Sequence, residues 1–289
     1  MSDKTNKRSL NRGKGIDGPI SQAAVYTIMA IVVFLVLLPV LLTIMLSLKS
    51  NYDLLQGIWS IPTKIMWSNW KFGFTEILPN MLNSILIALV STFFTVFIGA
   101  ISAYVFVRMD FLGKNVLFKL VILLMLIPSI ITLTPLYILC AALHIENTWF
   151  AIWFPTVAGG QVSAIFLFST FFRQQPKELF EAAKIDGAGY FRRLFAITVP
   201  MSTPILFYNA VTSMIGGLQV FGTYANYGTG VDDSLNFIAI RIYVTAFQDS
   251  FPGNYGLACA MAWILFFIIG ALTLVMFKTG GWIQYGEDS

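Results

Sequence analysis

The chain has 289 residues, 57% of them hydrophobic and 11% charged, with a formal net charge of +4. A soluble domain carries about a quarter charged residues, so most of this surface does not face water and a soluble enzyme is excluded. There is no basic patch with interleaved aromatics, which excludes nucleic acid as a partner. Cys140 and Cys259 lie far apart, in or beside apolar segments. They have no metal or redox spacing and read as small core residues.

Uncharged stretches of about 20 residues match the roughly 30 Å hydrocarbon core of a bilayer. Backbone groups in lipid must pair within the chain, so these stretches are expected to be helices, and no alternating barrel pattern is visible. The first 20 residues, with Lys4, Lys7, Arg8, Arg12 and Lys14, read as a disordered cytosolic tail. The run over 22–48, with a kink expected at Pro39, is too long for a signal-peptide core and has no small-residue cleavage site. It reads as an uncleaved first membrane helix. Five more follow, at about 83–107, 117–139 with Pro128 and Pro135, 149–172, 201–223 and 256–277. The expected fold is an all-α integral membrane protein with one six-helix domain over 21–278 and a short cytosolic tail over 279–289.

Charge placement orients these helices. With the N-terminus in the cytosol, 14 of the 18 Lys and Arg residues lie inside and only Lys49, Lys64, Lys71 and Arg241 lie outside. The positive-inside rule therefore puts both termini in the cytosol. The first outside segment, 49–82, holds Trp59, Trp67 and Trp70, which suit either a headgroup anchor or a docking surface for an external partner. The segment 224–255 contains Gly228, Gly230, Asp232 and Asp233, then a semi-apolar stretch Phe237–Phe247 that reads as a short helix or a re-entrant loop.

The cytosolic segment Pro176–Pro200 reads as a helix, a glycine turn and a second helix. Pro176 suits the first helical turn, and Glu178 and Glu181 complement the dipole near the helix start. Ala182 and Ala183 admit close approach by another backbone. Gly187 suits a left-handed helix end. Phe180, Ile185, Phe191, Leu194 and Phe195 give the pair an apolar side in a water-facing loop, which marks an interface.

Glu181-Ala182-Ala183, then Gly187, then Ile197-Thr198-Val199-Pro200 resembles the EAA motif of permease subunits of bacterial ABC importers, with Val199 in place of the more usual Leu. With six helices and a long first outside loop, the chain is most similar to the maltose-permease-type family that carries oligosaccharides and related solutes. The C-terminal end departs from many relatives, whose tails finish in a Lys-Gly pair. The resemblance implies coupling helices at about 176–197 that dock into an ATPase subunit through Phe180, Glu181, Ala182, Ala183, Asp186 and Gly187. It also implies the partners: a second homologous permease subunit, two ATPase subunits that use ATP and Mg, and an extracellular solute-binding lipoprotein. The implied location is the bacterial plasma membrane, among its lipids.

Polar residues within spans mark a candidate solute path. Asn209, Thr212, Ser213, Gly216, Gln219 and Thr223 recur every three or four residues on the fifth helix, which suits either a water-filled path or helix packing. Asn83, Ser84, Thr132, Thr134 and Gln161 are further candidates. No carboxylate or ammonium sits in the middle of any span, which argues against a proton- or sodium-coupled carrier and fits a neutral solute. Import of an amino acid, polyamine or phosphate by the same architecture is the alternative, and a secondary transporter a more distant one. No phosphate-binding Gly-x-x-x-x-Gly-Lys segment is present, no metal or catalytic set forms around the single His144, and no cofactor is expected on this chain.

Overall fold

The computed structural model describes residues 19–222, 227–230, 235–249 and 253–279. The expected tails, apart from the residues it describes at their inner ends, lie outside these residues, as do Thr223, Asp232 and Asp233. In chain order the helices are α1 (Pro19–Ser47), α2 (Asn51–Gln56), α3 (Ser68–Arg108), α4 (Lys114–Leu124), α5 (Ser129–Ala142), α6 (Phe150–Gln174), α7 (Lys177–Ile185), α8 (Tyr190–Met201), α9 (Thr203–Leu218), α10 (Ile238–Phe247) and α11 (Tyr255–Thr279). No strand occurs among the described residues. Helices α1, α3, α6 and α11 are each long and apolar enough to cross a membrane. The pairs α4–α5, bent by 104°, and α8–α9, bent by 78°, bring the count to six if each pair is one span.

Two features differ from the sequence-based expectation, and a third takes one of the two forms expected for it. The second helix begins at Ser68, not near 83, and runs for 41 residues. At 1.5 Å per residue that is about 60 Å, twice the hydrocarbon thickness. Its first turns carry Asn69, Lys71, Glu76 and Asn80, so they are too polar to register as a span although they are helical. The third span is broken rather than continuous. Pro128 disfavours helical geometry at the preceding residue and itself caps α5 with an extended ψ of 129°. Pro135, by contrast, sits inside α5. The stretch Phe237–Phe247 contains a helix, α10, whose Ile238 N–H donates to Ser84 Oγ at 3.0 Å. Arg241 on α10 pairs with Glu76 Oε2 at 2.7 Å and with Asp249 Oδ2 at 3.0 Å.

Helix α3 is the centre of the packing. Its buried face, which includes Ser84, Ala88, Ser91, Thr95, Ala100 and Ala103, is mostly small, and both α6 and α9 lie against it. Small residues let membrane helices approach closely enough for dispersion to hold them. The closest approach is to Gly217 on α9, where an added Cβ would stand 2.6 Å from Ala88 Cα. Helix α1 differs, packing along α11 with its side chains exposed from Gln22 through Leu37.

The segment between α1 and α3 forms a bonded cap. Lys49 is fully buried, and its Nζ donates to Gly57 O (3.0 Å), Ile58 O (3.1 Å) and Ser60 Oγ (3.1 Å). Asp53 accepts from Thr63 Oγ1 at 2.7 Å and from Ser50 Oγ at 2.9 Å. Those bonds, Thr63 first and Ser50 next, hold its carboxyl below the usual carboxylate range. On this rim Trp59 and Trp67 are exposed, whereas Trp70 packs toward Phe267 with ring centroids 6.3 Å apart.

Gly217→Val is expected to overpack the α3–α9 contact and cost about 1–3 kcal/mol, read as a fall in thermal stability of the detergent-solubilised protein. A carboxylate with a lowered pKa stabilises fully above its ordinary value and loses that contribution as pH falls through the lowered one. Protection of the 48–66 amides, as the ratio of intrinsic to observed exchange rate, should therefore be high at neutral pH and fall in acid, and Asp53→Asn should remove this dependence.

Candidate functional site: the α7–α8 hairpin

Helix α7 starts after Pro176, which caps it at φ −54° and ψ 129°, one position before the expected first turn. It ends in a Schellman turn. Gly187 N–H donates to Lys184 O at 3.1 Å and Ala188 N–H to Ala183 O at 2.9 Å. Gly187 adopts φ +76°, as the sequence predicts, with open space where a Cβ would stand. The constraint is therefore backbone conformation, not room.

The hairpin's apolar residues divide between two environments. Ile185, Phe191 and Phe195 are exposed, but Phe180 and Leu194 are buried in a cluster with Ala103, Tyr104, Phe168 and Phe172. The expectation of one exposed apolar side thus holds for only part of the set, because α3 and α6 extend far enough to cover the rest. Glu181, Ala182, Asp186 and Gly187 are exposed and Ala183 half-buried, so these residues share the outward side of α7 and its turn.

Three side chains stitch the hairpin to the spans. Arg108, the last residue of α3, donates to Phe172 O at 2.8 Å and to Gln175 O at 3.3 Å, and its guanidinium lies 3.7 Å from the Phe180 ring centroid. One cation thus ties α3, the C-terminal end of α6 and α7 together. One turn earlier on α3, Tyr104 Oη donates to Tyr190 O at 3.1 Å and holds the start of α8. Gln175 Nε2 donates to Ser202 Oγ at 2.6 Å and to Thr198 O at 3.3 Å, across the 78° bend between α8 and α9. Leu194–Thr198 form a π turn just before Pro200. Pro200 has no N–H for the Ala196 carbonyl and its ring crowds that oxygen, which favours the wider turn. Sequence reasoning missed these stitches. Arg108 counted only as a cytosolic charge, and Tyr104 and Gln175 carried no periodic signal.

The candidate path residues separate. Thr212, Gly216 and Gln219 lie exposed on α9 and Ser213 is half-buried, whereas Asn209 is buried with its Nδ2 donating to Ile205 O at 3.0 Å. Asn83 lies half-buried well within α3 rather than at a helix start. Gln161 is turned toward α3, where its Nε2 is 3.4 Å from both Phe94 O and Thr95 O. A second group of polar side chains occurs, in a mostly apolar lining, at the α4–α5 break. There a groove of about 540 Å³ is lined by Met125, Pro128, Ser129, Thr132, Gly159 and Ser163, among others. Thr132 Oγ1 donates to Ser129 O at 2.7 Å and Thr212 Oγ1 to Tyr208 O at 2.9 Å. Both hydroxyl protons are thus engaged, leaving oxygen lone pairs as acceptors.

The family model described as the binding-protein-dependent transport system inner membrane component matches residues 95–282, which include the whole hairpin. The chain belongs to this family. The trehalose transport system permease protein SugB of Mycobacterium tuberculosis is 34% identical to this transport component over 187 residues, 64% of this chain and 68% of that one. The maltodextrin transport system permease protein MalD of Streptococcus pneumoniae is 28% identical over 71% of this chain and 72% of its own length. A crystallised bacterial ABC transporter involved in the import of the acidic polysaccharide alginate has a chain of the same fold, with a TM-score of 0.75 and 15% identity, over 90% of this chain and 96% of that chain. The six-span reading accordingly describes a multi-pass inner-membrane transport component.

Replacing Arg108 by Leu removes two charge-assisted bonds and the cation over Phe180. Amide exchange over Lys177–Ile185 in this transport component is expected to rise about tenfold or more, while exchange in α11 stays unchanged.

Proposed function

We propose that the chain is one permease subunit of an ATP-driven importer that carries a neutral sugar or oligosaccharide into the cell by alternating access. The observation that carries this reading is the α7–α8 hairpin. Its motif residues Glu181, Ala182, Asp186 and Gly187 face outward, while Phe180 and the Tyr190 carbonyl are fastened to α3 and α6. A partner that grips the outward side moves the spans through those fastenings. ATP and Mg act on two ATPase subunits docked on the hairpin, a second homologous permease completes the path, and an external binding protein delivers the solute. Both termini lie in the cytosol, as the charge placement requires.

Sugar is the favoured solute for two reasons. Permeases of trehalose and maltodextrin systems are among the relatives. The polar surfaces of α9 and of the α4–α5 groove offer hydroxyls, an amide and backbone at a helix break, with no carboxylate or ammonium among the residues lining that groove. Ser129, Thr132 and Ser163, with Thr212 and Gln219, are the residues assigned to solute contact. Asn209, Asn83 and Gln161 take packing roles.

The test is uptake of labelled trehalose and maltodextrins by cells expressing the intact transport system, with wild type beside a Glu181→Lys/Gly187→Val variant. The variant is expected to reach the membrane, lose transport to background and retain about a tenth of the copurifying ATPase or less. Val is β-branched and costs more than about 1–2 kcal/mol at a left-handed position, so the turn itself is disrupted. Unchanged sugar uptake by the variant would remove the coupling role.

A further inference from the structure

Between α7 and α8 lies a cleft of about 240 Å³ lined by Ala183, Ala188 and Ala196, by Asp186, and by Arg192 and Arg193. Two arginines and one aspartate are among the lining residues, together with Ile197, so the lining carries a formal charge of one positive unit. Neither arginine makes a salt bridge among the described residues. The Arg193 guanidinium lies 4.7 Å from the Tyr190 ring centroid, and its Nε is buried without a hydrogen-bond partner. Stacking on a ring leaves the in-plane N–H edge of a guanidinium unused, and that edge matches the two oxygens of a carboxylate. The alanines leave the floor of the cleft open to a side chain from outside.

We propose that this cleft receives a carboxylate side chain of the ATPase subunit, held between Arg192 and Arg193. The inference rests on the hairpin being the ATPase contact, and it adds a second engagement. Glu181 presents negative charge outward on α7, while the cleft takes negative charge inward. Two opposed charge contacts of this kind fix the rotation of the hairpin as well as its position, which a single contact does not.

The experiment is affinity purification of the detergent-solubilised transport complex, with copurified ATPase and anionic phospholipid both quantified by mass spectrometry. Arg192→Glu/Arg193→Glu is expected to retain about tenfold less ATPase than wild type, and Arg192→Lys/Arg193→Lys an intermediate amount. Ala188→Glu keeps both arginines and supplies an internal carboxylate, so it should also expel the ATPase, whereas Ala188→Gln should not. Full retention of ATPase by the double Glu variant or by Ala188→Glu, with wild type also retaining it, overturns the cleft assignment and leaves the hairpin reading intact. Loss of anionic phospholipid with ATPase unchanged identifies a lipid headgroup site and likewise overturns it. Absence of ATPase from the wild-type preparation removes both readings.

Discussion

Close approach along α3 is the constraint on which the rest of the molecule depends. Lipid tails are as apolar as leucine, so helices in a bilayer gain little from hiding apolar side chains and must instead touch. Ala88 against Gly217, and the Ala100–Ala103 turn against α6, bring three spans into contact on one axis. Because α3 is the shared partner, what is fastened to its C-terminal end is tied to all three. Tyr104 and Arg108 stand at that end, and both α7 and α8 are attached there.

The hairpin divides between two environments within one short sequence. Phe180 is an internal anchor, although it sits beside the motif residue Glu181, because successive helix positions point about 100° apart. Helix α7 keeps one side buried and the other exposed within nine residues, and its exposed side ends in a turn that demands a left-handed backbone at Gly187.

Much of this was legible in the sequence, for identifiable reasons. Span positions followed from uninterrupted hydropathy, and the hairpin from Pro176, the alanine pair, Gly187 and Pro200 at fixed spacing. What escaped were features set by tertiary contact. The first turns of α3 look like a polar loop in sequence, yet Asn69 and Glu76 bond to neighbours rather than face water alone. Lys49 counts as a surface charge in any sequence tally, yet three oxygens folded around it bury it completely. Asn209 and Gln161 belong to polar patterns whose periodicity is equally suited to a water path or a helix contact, and only packing distinguishes the two.

The break in the third span has a consequence for how the chain is made. Helix α4 has 11 residues and α5 has 14, lengths of about 17 and 21 Å, so neither half bridges the hydrocarbon alone. The backbone groups between them need shelter from acyl chains, and both halves find it against α6. A ribosome delivers α6 only after α4 and α5 have left the exit tunnel. The third span therefore gains shelter for its break only once the fourth lies beside it.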